Sequence, residues 1–315
     1  MHVPDGFLDL RTAGTTAAVS LSALAAAIRR LRLGLPRRRV PLMGLAAAFI
    51  FAAQMLNFPV AGGTSGHLVG AVLASVLLGP SAAVVVMTAV LLVQCLLFAD
   101  GGLLALGANV FNMAVVAVAG GQAVYRPMRR VLPGRRGLLV AAALASWCST
   151  VLASIVCAAE LAWSGVAAWR LVFPAMAGVH MLIGLGEAAI TTLVVAAIMR
   201  TRPDLVELQG PDEPPSASRL FWAGALATTF GLVIFALPFA SSFPDGLERV
   251  AQALGFAERA ATPLPAPMAD YRLPGSWPAS AATAVAGVLG TLVAFGGACA
   301  LAAVLAPRAR SQGER

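Results

Sequence analysis

The chain contains no lysine. A Walker A loop needs its lysine to reach bound phosphates, so the chain is not itself a P-loop ATPase, and any ATP-driven step must come from a partner. Charge of both signs is scarce: 14 acidic and 22 basic residues, all of the latter arginine, make up 11% of 315 residues. No HExxH or GxSxG motif occurs, which removes two common hydrolase designs. The four cysteines, Cys95, Cys148, Cys157 and Cys299, stand singly in apolar runs without CxxC spacing. They read as small buried hydrophobes rather than thiolate ligands or disulfides. Histidine is limited to His2, His67 and His180. Nucleic-acid binding is not expected either, because the arginines fall in short clusters rather than along one face.

What is abundant is apolar surface, 59% of residues, in long runs from residue 12 to residue 306. This composition predicts an all-α, polytopic helical membrane protein. Nine candidate segments emerge: 12–33, 41–57, 67–79, 81–98, 107–125, 138–162, 171–199, 219–240 and 277–306. The third is too short to cross as a straight helix, and Gly79-Pro80 break it from the fourth. Arginine clusters follow the first segment (Arg29 to Arg39), the fifth (Arg126 to Arg136), the seventh (Arg200, Arg202) and the last (Arg308, Arg310). With alternating crossings all of these share one side, which the positive-inside rule makes cytoplasmic. The N-terminus and His67 are then outside and the C-terminus is cytoplasmic, in a cell membrane. Asp5 and Asp9 at the start, with no small-residue cleavage site, argue against a signal peptide.

The expected domains are a seven-segment substrate-binding core at 1–199, a cytoplasmic linker at 200–218 rich in proline and acids, and a two-helix hairpin at 219–306. The hairpin encloses an outside loop, 241–276, and a cytoplasmic tail occupies 307–315. Loop acids Asp245, Glu248 and Asp270 read chiefly as solvated.

The N-terminus carries the chemistry. A histidine at position two lets the terminal amine of Met1, the amide nitrogen of His2 and its ring Nδ1 close two fused chelate rings on one ion. A ring nitrogen of His67 completes a plane of four, a donor set suited to Ni(II), Cu(II) and sometimes Co(II) rather than Zn(II) or Mg(II). A residue as large as His2 is expected to block removal of Met1. Ser65, Asn57, Asp100 and Asn109 are candidates for fixing the His67 ring or the N-terminal loop, with helix capping as the competing reading. Gly62, Gly63 and Gly66 are expected to let backbone approach the N-terminal segment. His180 and Glu187, seven residues apart and hence on one helix face, read as a structural or coupling hydrogen-bond pair rather than as ligands.

Several stretches resemble one family: Met1-His2-Val3-Pro4-Asp5-Gly6-Phe7-Leu8, Asn57 to Leu68, Phe98 to Leu103 with Asn109, and His180 to Ala188. They are similar to the CbiM/NikM family, the substrate-binding membrane subunits of energy-coupling-factor transporters for cobalt and nickel. Pro244-Asp245-Gly246-Leu247-Glu248 and Asp270-Tyr271 resemble the PDGLE (NikN/CbiN-like) accessory part. The resemblance implies metal ligation by Met1, His2 and His67. It also implies Ni2+ or Co2+ as bound substrate with no organic cofactor, a CbiQ/NikQ-type membrane coupling subunit and paired CbiO/NikO-type ATPases. The expected function is ion capture for an ATP-driven importer, and no enzymatic activity. Rival readings are a cobalt importer subunit, a non-transporting membrane metal sensor and, less fittingly, an intramembrane metalloenzyme, which would need an open coordination position.

Overall fold

A computed structural model describes residues 1–206, 219–262 and 265–306. Most of the proposed linker, the tail and Arg308 and Arg310 therefore lie outside the described residues. The architecture is helical: α1 (Leu10–Gly34), α2 (Val40–Gln54), α3 (Ala71–Leu78), α4 (Pro80–Phe98), α5 (Leu106–Val110), α6 (Ala117–Val131), α7 (Gly134–Trp163), α8 (Trp169–Thr201), α9 (Arg219–Gly231), α10 (Gly246–Leu254) and α11 (Ala279–Leu305). A π-helical stretch, Phe111–Val116, joins α5 to α6 into one continuous rod. One short antiparallel hairpin, β1 (Phe58–Val60) with β2 (Thr64–Gly66), pairs Phe58 with Gly66 and Val60 with Thr64.

Among the described residues, five helical rods are long and apolar enough to cross a bilayer: α4, α5–α6, α7, α8 and α11. The chain is a multi-pass membrane protein. The remaining predicted segments differ for identifiable reasons. α1 has the length, but Thr, Ser and Gly dilute its hydropathy. The run 41–57 yields a helix of 15 residues, roughly 22 Å long against a hydrocarbon core of about 30 Å. Within 67–79 only eight residues are helical. That helix, α3, is buried along its whole length, packed among α4, α6 and α7, so its all-round apolarity marks a core helix rather than a span. The break after it is as expected: Gly79 takes a left-handed φ of 84° and Pro80 opens α4.

α7 and α8 form the most extensive helix pair, and α11 lies along α2. Small residues permit the second contact: a Cβ on Gly44 would meet the Cys299 sulfur at 2.2 Å, and one on Gly290 would meet Phe51 at 2.2 Å. Close approach through small residues is how helices associate in lipid, where no hydrophobic force drives them together. The four cysteines are free.

Residues 1–9, 241–262 and 265–276 lie together at one end of the bundle, the end opposite the arginine-rich turns. α10 in the second segment is a complete short helix: Asp245 caps it, accepting from Glu248 N, while the Glu248 side chain accepts from Asp245 N. Such a loop has too little apolar surface for its own core, and it borrows one. Leu247, Val250, Ala251 and Phe256 are buried; α10 packs on α8, and Phe256 meets Phe7 edge to face.

Candidate metal centre

The N-terminal segment is pinned before any metal is considered. Asp5 is 3% exposed, and its carboxylate accepts from the backbone N–H groups of Leu103, Leu104 and Ala105 at 2.8–3.0 Å. A Cβ on Gly102 would sit 2.1 Å from Asp5 Oδ1, so the approach requires glycine there. Asn109 holds Val3 from both sides, accepting from Val3 N at 2.7 Å and donating to Val3 O at 3.0 Å. On the far side Asp5 bridges to Ala261. The chain start is thus clamped between the α4–α5 turn and the C-terminal part.

This clamping delivers Met1 and His2 to His67. The terminal nitrogen of Met1 lies 2.5 Å from His67 Nε2. Adjacent donors around a planar ion with metal–nitrogen bonds of about 2 Å lie about 2.8 Å apart, so these two atoms already stand at neighbouring-ligand separation. The His2 and His67 rings stack, centroids 5.1 Å apart and 22° from parallel. His67 Nδ1 donates to Leu68 O at 3.0 Å; a carbonyl only accepts, so Nε2 keeps its lone pair, the tautomer a ligand needs. Burial, then the nearby ammonium and His2, hold the His67 imidazole well below its ordinary value. Burial lowers His2 as well, against the raising effect of Asp100. Burial thus favours the neutral form of both rings, and His67 Nε2 is the nitrogen whose lone pair faces the Met1 amine.

The expected supporting residues divide. Asp100 approaches His2, Oδ1 to Nδ1 at 3.1 Å, and accepts from the Tyr271 hydroxyl. It fixes His2 and not His67. The nitrogen a chelate would use is thus engaged by Asp100, which has to yield it to an ion. Gln94 Oε1 faces the other His2 nitrogen at 3.2 Å. Asn109 anchors the loop through Val3, as described. Ser65 turns away from the centre, donating from N and Oγ to Pro244 O and Phe243 O. Asn57 lines the cavity beside the site, of about 710 Å³, and its carbonyl accepts from Ser241 N. Gly62 and Gly63 shape the β-hairpin turn at positive φ with nothing packed on them, and Gly66 packs on Ile183 of α8, so none of the three serves approach to the N-terminal segment.

His180 and Glu187 share the buried face of α8 but do not bond to one another. His180 Nδ1 donates to Met176 O at 2.8 Å. Glu187 accepts from Val69 N at 2.5 Å and Gly70 N at 2.9 Å. Its carboxyl oxygens thereby sit at the N-terminus of α3, where orphan N–H groups need acceptors. Glu187 fixes the segment that carries His67.

Sequence reasoning missed the largest contributor from the C-terminal part. Asp245 Oδ2 lies 2.7 Å from the Met1 nitrogen and 3.9 Å from His67 Nε2, with its side chain 14% exposed. Burial alone would raise its carboxyl, but the ammonium and His67 outweigh burial and hold it below the usual carboxylate range. An acid in a polar loop carries no sign of such a contact; only the PDGLE stretch marked it. Gln94, a lone amide in an apolar helix, was a legible signal left unread. Among the described residues no three His, Cys, Asp or Glu side chains are arranged as a metal cluster.

Comparison with known proteins agrees with this architecture. Residues 2–205 match the CbiM model, described as a cobalt uptake substrate-specific transmembrane region, and residues 219–307 match the PDGLE domain. A putative fused nickel transport protein NikMN of Archaeoglobus fulgidus is 40% identical over 295 residues, covering 93% of this chain and 95% of that one. The fused nickel transport protein NikMN of Rhodobacter capsulatus is 36% identical over 239 residues, 71% of this chain and 69% of its own. A crystal structure of a transition metal transporter superposes with a TM-score of 0.59 at 32% identity, covering 67% of this chain and all of that one. The chain belongs to the CbiM family of metal-uptake transmembrane regions, joined here to a PDGLE domain.

Proposed function

We propose that this chain is the substrate-capturing membrane component of an ATP-driven energy-coupling-factor importer, and that it binds Ni(II) at the outer face. The observation that carries the reading is the Met1 nitrogen held 2.5 Å from His67 Nε2 with the His2 ring stacked beside it. The ion's four donors are the Met1 amine, the His2 amide and ring nitrogens and His67 Nε2. A deprotonated amide in a planar field favours nickel over cobalt; cobalt is the second reading, since the matching family is described by cobalt uptake. Four nitrogens in a plane leave little room for a reacting group and a general base beside the ion, so the role is binding and handing on.

The functional division is a metal-binding domain at 1–199 and a PDGLE hairpin at 219–306, with the N-terminus outside and the arginine-rich turns cytoplasmic. Energy comes from a CbiQ/NikQ-type coupling subunit and paired CbiO/NikO-type ATPases, because this chain has no lysine for a phosphate loop. The PDGLE hairpin gates loading. Asp245 is paired with an ammonium, and an amine that donates its lone pair to an ion cannot remain that ammonium, so loading requires the pair to break. Ni(II) with one deprotonated amide keeps a single positive charge, which Asp245 can again balance.

Nickel titration of the purified full chain, read by visible absorption, tests the site against a variant with the two residues Gly-Pro added before Met1, which leaves neither a free amine nor a planar chelate at His2. The expected result is a planar-type nickel spectrum that the extension abolishes. An unchanged spectrum would show that Met1 is not a ligand. Deleting residues 205–315 is expected to abolish uptake, and unchanged uptake would refute the gating role.

A further inference from the structure

The imidazole of His180 is built like that of His67 and has no use in the centre described so far. It is 2% exposed. Its Nδ1 donates to Met176 O, so Nε2 keeps its lone pair, yet Nε2 is buried without a hydrogen-bond partner among the described residues. Leaving such an acceptor unpaired is unfavourable, and native proteins keep few without a reason. A main-chain carbonyl that fixes the tautomer while the other nitrogen stays bare is the usual preparation of a metal-binding imidazole.

What covers this nitrogen is Gly246. A Cβ there would lie 2.9 Å from His180 Nε2, 2.8 Å from its Cε1 and 2.8 Å from Ile183 Cδ1, so only glycine can rest on the ring. Gly246 is the first residue of α10 and directly follows Asp245, the carboxylate on the Met1 nitrogen. Gly66, the neighbour of His67, packs on the same Ile183. His67 Nε2, which accepts from the Met1 ammonium, and the unpaired His180 Nε2 thus flank one contact at the start of α10. Lifting α10 off α8 removes the Asp245 carboxylate and uncovers His180 in one movement.

We propose that His180 Nε2 is a capture ligand for the incoming divalent transition-metal ion. With α10 lifted, His67 and His180 take the ion first, since neutral imidazoles bind without losing a proton. The Met1 ammonium and the His2 amide then release one proton each to solvent as their nitrogens bond the metal, the His180 bond breaks, and α10 returns to place Gly246 over the freed nitrogen. This sequence rests on the four-nitrogen reading above.

The test uses the full chain with the two residues Gly-Pro added before Met1. The extension moves the free amine out of reach of the His2 chelate, with a proline nitrogen that cannot bind in its place, and removes the ammonium that holds Asp245, which favours α10 lifting off His180. Cobalt(II) and nickel(II) are titrated separately, reading visible absorption and the metal-induced rise in melting temperature. The expected result is weaker, non-planar binding that His180→Ala and the ring-sized His180→Phe both reduce at least tenfold, with the metal-free melting temperature unchanged. Metal-free melting is read first, so that a folding defect in either variant is not mistaken for a lost ligand. If the extended chain binds no metal, or both variants bind within twofold of it, the proposal is overturned while the four-nitrogen reading stands. A planar nickel spectrum surviving the extension overturns both.

Discussion

Replacing Asp245 with Asn isolates the ionic part of the contact between the two halves of the chain. Asn caps helices about as well as Asp, so α10 keeps a cap, and the side-chain volume is unchanged. What is lost is the charge opposite the Met1 nitrogen at 2.7 Å, between groups 3% and 14% exposed. Removing one partner of a buried pair costs about 3–5 kcal/mol; the residual exposure of Asp245 argues for the lower end, about 3 kcal/mol. At 1.4 kcal/mol per decade this is a rise of roughly 100-fold in the population with α10 undocked. Hydrogen exchange of the metal-free chain reads that opening directly. Protection of amides from Val250 to Phe256 is expected to fall about 100-fold, while α7 and the centre of α4 are unaffected. The sign with pH follows from the same carboxyl. Its value is depressed in the folded chain, so its contribution is complete above the ordinary carboxylate range and is lost as pH falls through the depressed value. Wild-type protection should therefore persist through mild acid and drop only at strongly acid pH, and the Asn variant should lack that limb. A change under about threefold in the variant at neutral pH would refute the claim that this ion pair holds α10.

Asn109→Ala removes both hydrogen bonds to Val3 and leaves buried main-chain groups unpaired, a loss of about 2 kcal/mol. Nickel affinity by titration should fall roughly 30-fold as the chain start loosens; an unchanged affinity would mean that Asp5 alone positions the ligands. Glu187→Gln replaces two carboxylate acceptors with one amide oxygen, stranding Val69 N or Gly70 N. Destabilisation of about 2 kcal/mol is expected in denaturant or thermal melts, with weaker nickel binding because α3 and His67 share that segment. Gly102→Ala should prevent docking of Asp5, against which its Cβ would lie at 2.1 Å; the readout is loss of the planar nickel spectrum, and a variant that binds normally would refute the close-approach argument.

The class, the long spans and the three nitrogen-bearing residues at one end were readable because each rests on local chemistry. Apolar run length decides whether a helix can cross, and an amine, an amide and a ring at positions one and two chelate by covalent spacing alone. That Met1 and His67 meet was an inference from sidedness, and only packing sets their 2.5 Å separation. Length in the sequence already excluded a straight crossing for the third segment, but not whether it sits tilted or half-embedded; burial on every side makes α3 a core helix. Nor could it find the partner of an acid. Asp245 looked solvated because it lies in a loop rich in proline and glycine, yet the fold carries it 244 residues back to the chain start. His180 and Glu187 share a helix face by periodicity, and their partners come from Met176, Val69 and Gly70 instead of each other. Residue type and local spacing thus fixed which groups could bind metal, whereas long-range packing alone decided which of them stand together, because a hydrogen bond or ion pair between distant positions leaves no periodic trace in the chain.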